Sequence, residues 1–180
     1  MSSENSKEVD YLGGDPVAFG ELVTRYQHSL FGFLGRMGLE PAVCEELAQE
    51  TFLRAWVNRA SYDAGKAAVS TWLFTIARNL ALSHLSKKTV PVAEETEIEH
   101  RADPSADPSS QFEQHESIGR LRRALNTLSS DDRAVIATCY TPEIENTSDV
   151  LGCSPGALRT RLSRARQRLS DALVKLDNEL

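Results

Sequence analysis

The stretch DVLGCSPGALRTRLSRARQRL, residues 149–169, has the anatomy of a helix-turn-helix. Gly152 suits the left-handed residue that closes a short helix, and Ser154-Pro155 opens the next by joining a capping side chain to a residue well tolerated in a first turn. Along that second helix, from about Pro155 to Leu176, Leu158, Leu162, Ala165, Leu169 and Leu173 share one stripe and are expected to pack on the preceding helices. Arg159, Thr160, Arg161, Ser163, Arg164, Arg166 and Arg168 are left to project outward. Guanidinium groups bind phosphates and pair two-pronged with guanine in the major groove, so this face is the first candidate nucleic-acid surface. An Arg-rich helix is also the mark of an ordinary solvated face; the turn in front of it shifts the balance toward DNA.

Upstream of the turn, Ile118, Leu121, Leu125 and Leu128 recur at helical spacing. Ser129-Ser130-Asp131 then caps a helix through Ala134, Val135, Ile136 and Cys139, and a short segment from Glu143 to Leu151 leads to Gly152. Further upstream the composition changes abruptly. Residues 90–117 contain Pro91, Pro104 and Pro108, and between Glu94 and Glu116 eight acidic residues stand against one Arg. With few bulky apolar side chains this segment cannot bury enough surface to fold alone, and it is expected to be a flexible acidic linker.

Before the linker the periodicity is helical again. Asp15-Pro16 is a helix start, followed by an apolar face of Phe19, Leu22, Val23, Tyr26, Leu30, Phe33, Leu34 and Met37 that ends near Gly38. Pro41 opens a second helix with Val43, Leu47, Ala48, Thr51, Phe52, Ala55 and Trp56 inward and Glu45, Glu46, Gln49 and Glu50 largely outward. After a loop from Arg59 to Ala68, a third helix is expected from about Ser70 to Lys87, with Trp72, Leu73, Ile76, Ala77, Leu80 and Leu85 as its stripe. These three make a compact bundle, and no strand alternation competes anywhere. The fold class is all-α: two small helical domains joined by a linker.

The net charge of -6 argues against a nucleic-acid partner only superficially, since the acid is concentrated in the linker while Arg159 to Arg168 holds five Arg and no acid. Cys44, Cys139 and Cys153 are widely spaced, without a Cys-x-x-Cys pair, and His28, His84, His100 and His115 are scattered. The cysteines are expected to be reduced core thiols, with neither a metal site, a catalytic dyad nor a cofactor. No run of eighteen apolar residues and no signal-peptide core is present, so a soluble, cytoplasmic protein without membrane insertion is expected.

Four stretches, in order, carry a family likeness. GDPVAFGELVTRY (14–26), EELAQETFLRAW (45–56), STWLFTIARNLA (70–81) and GCSPGALRTRLSRAR (152–166) together resemble the extracytoplasmic-function sigma factors, bacterial promoter-recognition subunits of RNA polymerase. The resemblance implies a disordered N-terminus (1–12), a three-helix region 2 (13–89) that binds core polymerase and the minus-ten element, the linker (90–117), and a helix-turn-helix region 4 (118–180) that binds the minus-thirty-five element. It implies that Glu45, Glu46, Leu47, Gln49, Glu50 and Phe52 dock on polymerase, where exposed acids beside apolar groups complement a basic helix pair. Tyr62, Asp63, Lys66, Trp72, Arg78 and Asn79 would handle the minus-ten element, an aromatic, an amide and a cation being suited to a flipped base and its phosphates. For Trp72 a plain core role competes. The Arg159–Arg168 face would read the minus-thirty-five duplex.

Core RNA polymerase, promoter DNA and an anti-sigma protein or other regulator are the partners the resemblance implies, and no catalysis is expected of the chain itself. Two departures stand out. Ser83 and Ser86 replace charged residues common in the family, and the segment from Cys139 to Leu151 is about two residues short, with Thr147 and Ser148 where apolar and alanine residues are usual. The helix there should be weakly packed, and the C-terminal domain is expected to be marginal alone and firmed up by a partner. An ordinary helix-turn-helix regulator, or a sigma relative impaired in independent promoter reading, are the alternative readings.

Overall fold

Asp15 accepts a hydrogen bond from the Val17 amide at 3.0 Å and Pro16 takes the first turn, so helix α1 (Pro16–Arg36) begins where the cap-plus-proline rule puts it. The computed structural model describes residues 11–87 and 108–178, for 108–115 the backbone alone. Of the stretch 1–12 expected to be disordered, residues 1–10 lie outside the described residues, while Leu12 is buried in the core and Tyr11 packs against it; of the linker expected over 90–117, residues 90–107 lie outside them. Helix α1 ends in Met37 and in Gly38, whose φ of +80° is the left-handed turn that a glycine adopts without steric cost.

Helix α2 (Pro41–Val57) and helix α3 (Val69–Lys87) complete a three-helix bundle, with a 3-10 turn, Arg59–Ser61, between them. Its centre is aromatic. Phe33 and Phe74 meet edge to face with ring centroids 5.3 Å apart, Tyr26 approaches Phe74 at 6.3 Å, and Leu22, Leu30, Leu34 and Leu73 close around them fully buried. Each such side chain removed from water contributes about 1.5–3 kcal/mol, which is what holds three amphipathic helices in one arrangement.

The second half comprises α4 (Pro108–Asn126), α5 (Ser130–Cys139), the five-residue α6 (Thr147–Leu151) and α7 (Pro155–Asn178). Among the described residues every regular element is helical, as the periodicity required. Ser129 caps α5 through the Asp132 amide at 3.2 Å. Gly152, at φ +60°, ends α6, and the amide of Cys153 returns to the Ser148 carbonyl at 3.1 Å. The helix-turn-helix of α6 and α7 is therefore formed as its turn residues dictate.

Helix α4 corrects one expectation. It starts at Pro108, inside the segment assigned to the linker. The apolar period begins only at Ile118, yet Gln111, Glu113, Gln114 and Glu116 are good helix formers behind a first-turn proline.

The two halves pack directly on each other. Helix α6 lies against α3, and α5 lies against both α1 and α3, so one apolar core runs through the molecule, including Ile144, Val150 and Leu151. The short α6 is thus braced by the first half of its own chain, a support that local sequence could not reveal.

Candidate nucleic-acid and polymerase interfaces

Helix α7 is held by one face. Ala165 is fully buried and Leu158, Leu162, Leu169 and Ala172 pack against the core, while Ser154 Oγ accepts from the Ala157 amide at 3.3 Å to cap its start. At about 100° per residue, Thr160, Ser163, Arg164 and Gln167 then form the ridge farthest from the core. All four are exposed. Arg159 and Arg166 stand on one shoulder of this ridge, two turns apart, and line a shallow cleft of about 460 Å³ with Ser163 and Gln167. Arg161 and Arg168 stand on the other. A polar ridge with cations on both flanks suits a groove about 12 Å wide walled by two phosphate strands.

The seven predicted residues are not equivalent. The Arg166 guanidinium lies 5.2 Å from the Tyr140 ring centroid, and Arg168 Nη1 bonds Asp132 Oδ2 at 2.6 Å. Both arginines already have a protein partner, whereas the ridge residue Arg164 has no such contact among the described residues. Gln167 was absent from the predicted set because an amide gives no charge signal; here it donates to Asp171 at 2.8 Å.

In the first half, Tyr62 and Trp72 meet at 5.3 Å with rings tilted by 50°, and the Tyr62 hydroxyl donates to the Ala67 carbonyl at 2.9 Å. This closes the loop before α3. Asp63 shapes the same loop: Oδ1 accepts from the Gly65 amide at 2.9 Å and Oδ2 pairs with Lys66 Nζ at 3.2 Å. The amide bond first, then Lys66, holds this carboxyl below the usual range. Trp72 is half-buried, so the core and site roles coexist in one ring. Thr75, Ile76 and Asn79 continue the Trp72 face along α3, while Arg78 is turned away from it and is half-buried. Four of the six predicted residues are therefore gathered around the loop, Asn79 extends the face, and Arg78, though turned from it, donates from Nη1 to Asn79 Oδ1 at 3.4 Å.

The acidic face of α2 is exposed at Glu45, Glu46 and Gln49, and Glu50 pairs with Arg54 at 2.6 Å. Leu47 is 6% exposed and belongs to the core, as its place on the inward stripe of α2 requires, so its side chain is not offered on the face that the resemblance assigned to polymerase. Phe52 is largely buried, but it floors a cleft of about 370 Å³ with Val23, Gln27, His28, Phe31, Glu45, Ala48 and Gln49. The α1 residues Gln27, His28 and Phe31 were missed. Val23, Gln27 and Phe31 repeat every four positions, so the signal was there, at the edge of a stripe read wholly as core.

Among the described residues no cluster of three His, Cys, Asp or Glu is placed to hold a metal, and no helix is long and apolar enough to cross a membrane.

A helical bundle carrying an acidic, aromatic-edged face and a separate helix-turn-helix define a two-region transcription factor. Residues 22–90 match Sigma-70 region 2 and residues 118–169 match Sigma-70, region 4. The ECF RNA polymerase sigma factor RpoE of Cereibacter sphaeroides is 30% identical over 162 residues, 87% of this chain and 88% of the relative. SigW, an ECF RNA polymerase sigma factor of Bacillus subtilis, is 29% identical over 91% of this chain and 92% of its own. Among solved structures, CnrH in complex with the cytosolic domain of CnrY superposes with a TM-score of 0.67 at 25% identity, covering 96% of this chain and 97% of CnrH. The sigma factor RpoE bound to the anti-sigma factor NepR from Bartonella quintana gives 0.65 at 28% identity, over 88% and 98%. The chain belongs to the extracytoplasmic-function family of RNA polymerase sigma factors. Its function is accordingly to join core polymerase and direct it to promoter DNA.

Proposed function

We propose that residues 13–89 serve as the polymerase-binding and promoter-opening region and residues 118–180 as the minus-thirty-five reader, in a cytoplasmic, non-enzymatic initiation factor. The observation that carries this reading is the exposed ridge of α7, flanked by arginines on both shoulders and fixed from behind by the buried Ala165 stripe. Thr160, Ser163 and Arg164 face base edges, while Arg159, Arg161, Arg166 and Arg168 neutralise the two phosphate walls.

The loop of Tyr62, Asp63 and Lys66 with Trp72 and Asn79 takes the melted minus-ten strand, where stacking and an amide suit an unstacked base. Glu45, Glu46 and Gln49, with the cleft of Phe31 and Phe52, meet a basic helical element of polymerase. Regulation by a protein of the anti-sigma class belongs to the same reading, supported by the NepR-bound relative. The five-residue α6 favours a second reading, a sigma factor impaired in reading the minus-thirty-five element on its own.

Run-off transcription with purified core polymerase on genomic promoter fragments tests the assignment. A new transcript that depends on this chain and disappears with Arg164→Ala is expected; a transcript indifferent to every α7 arginine supports the second reading instead.

A further inference from the structure

Asp171 is the single acidic residue between Pro155 and Leu176, in a helix that carries five arginines. Two cations lie within helical reach of it, Arg168 three positions before and Lys175 four positions after. It pairs with neither. Arg168 bonds Asp132, and among the described residues Asp171 makes no ion pair. Its Oδ1 accepts from Gln167 Nε2 at 2.8 Å, one turn back along the helix. Both side chains are exposed. A carboxylate so placed repels the phosphates that the arginines attract, so the use that offsets this cost is to be sought in its one partner.

Gln167 sits at the crest of the α7 ridge. With Ala165 marking the buried side, a rotation of about 100° per residue puts Gln167 and Thr160 almost in line with each other, opposite the core. At about 1.5 Å per residue the two are roughly 10.5 Å apart along the axis, or about three base pairs of duplex at about 3.4 Å each. Arg164 lies between them. Arg166 and Arg168, the neighbours of Gln167 in sequence, project to either side of it at the same height. A groove that receives those two cations on its phosphate walls therefore receives Gln167 at its floor.

A glutamine amide has two N–H donors and an acceptor oxygen. Asp171 engages one N–H, and because an ionised carboxylate accepts but does not donate, it fixes which end of the amide carries the nitrogen. The remaining N–H and Oε1 form the donor and acceptor pair that adenine N7 and its N6 amino group match in the major groove. Guanine presents the acceptor O6 where adenine presents N6, so an Oε1 held in this orientation rejects it. We infer that Gln167 reads an adenine of the minus-thirty-five element and that Asp171 is the positioning residue that keeps its amide from turning over. The inference rests on the minus-thirty-five reading of α7 proposed above.

The test lets the holoenzyme, core polymerase with the full chain, select from duplexes whose upstream segment is randomised. Wild type should enrich adenine over guanine about tenfold at one position. Gln167→Ala should bring the four bases at that position to within about twofold and leave the preferences elsewhere intact. Gln167→Glu should move the preference there to cytosine, whose N4 amino group donates to a carboxylate. Asp171→Asn should narrow the adenine-to-guanine ratio to about threefold or less, since the amide is then free to turn an N–H toward O6. A pair that only stabilised the helix surface would move none of these ratios. Unchanged preferences in Gln167→Ala would overturn the reading by Gln167, and an undiminished ratio in Asp171→Asn would overturn the positioning role. Upstream enrichment that is lost in Arg164→Ala but complete in Gln167→Ala would reject this inference and leave the minus-thirty-five reading standing, whereas a wild-type holoenzyme that enriches no upstream sequence would remove both.

Discussion

Arg166 stacks on Tyr140, its guanidinium carbon 5.2 Å from the ring centroid, at the point where α7 crosses the end of α5. The contact gives this α7 arginine a structural role that Arg164 lacks. Arg164, on the open ridge that faces the base edges, should behave as a pure DNA contact: Arg164→Ala weakens minus-thirty-five duplex binding by about 1–3 kcal/mol and relaxes its sequence preference, with no loss of folding stability. Arg166→Ala should in addition cost about 0.5–1 kcal/mol of folding stability, and Tyr140→Ala should reproduce that loss without altering the salt slope. Anisotropy titrations over a salt series, paired with denaturant melts, check both; equal stability losses at Arg164 and Arg166 would refute the distinction.

The α2 face separates in the same manner. Leu47→Ala removes a core side chain and should destabilise the bundle by about 2–5 kcal/mol, reducing polymerase binding only through unfolding. Glu46→Lys changes an exposed side chain and should leave the melting temperature within a degree or two while weakening association with core polymerase. Comparison of thermal melts with polymerase pull-down on the same preparations decides it, and a Glu46→Lys chain that binds as well as wild type would remove this face from the interface.

The turns of this fold were legible because their causes are local. Asp15-Pro16, Ser129 and Gly152 each act on a backbone group within four residues, so the sequence near them contains the whole reason for the turn. Leu47 lies in the core, as its place on the inward stripe of α2 required; its docking role came from the family likeness alone, which carries a role along a motif without regard to which way a side chain faces. The start of α4 was invisible for a different reason: a helix with no apolar face at its beginning has no period to detect. The contacts between Ser29 and Glu143 or Arg36 and Thr141 leave no trace in local pattern at all, since they join single polar residues more than a hundred positions apart.

Gly152 occupies a left-handed conformation at φ +60°, with nothing within 4 Å of where a Cβ would stand. Gly152→Ala should therefore cost about 1–2 kcal/mol from backbone strain alone, without any clash. Because the turn aims α7, the same substitution should weaken duplex binding even well below the melting temperature, and Gly152→Asn, which tolerates this conformation better, should recover part of both losses. Chemical denaturation and duplex titration of the two variants give the comparison; an alanine variant as stable as wild type would show that α6 and α7 are not oriented by this residue.

Cys44 is 1% exposed, with its Sγ 3.6 Å from the Leu39 carbonyl, and burial pushes the thiol up to about 12, the nearby Arg122 pulling the other way and Glu40 and Glu45 adding to the rise. An unfolded cysteine titrates near about 8.5. The folded state thus favours the protonated thiol, and its contribution to stability is complete below the unfolded value and is lost progressively as pH rises from there through about 12. Cys139 is raised in the same direction, chiefly by burial, but both it and Cys153 are only half-buried. A thiol reagent at pH 8 should therefore modify Cys153 and Cys139 in the native chain while Cys44 reacts only on global unfolding, its rate following the denaturant midpoint. Cys44→Ala should flatten the alkaline arm of the stability curve above about pH 9 even though it loses packing at neutral pH. Mass-spectrometric labelling and denaturant melts across pH 7–11 read these effects separately, and rapid native labelling of Cys44 would mean that the joint between α1 and α2 opens locally, which a core thiol beside the Glu40–Arg122 pair should not allow.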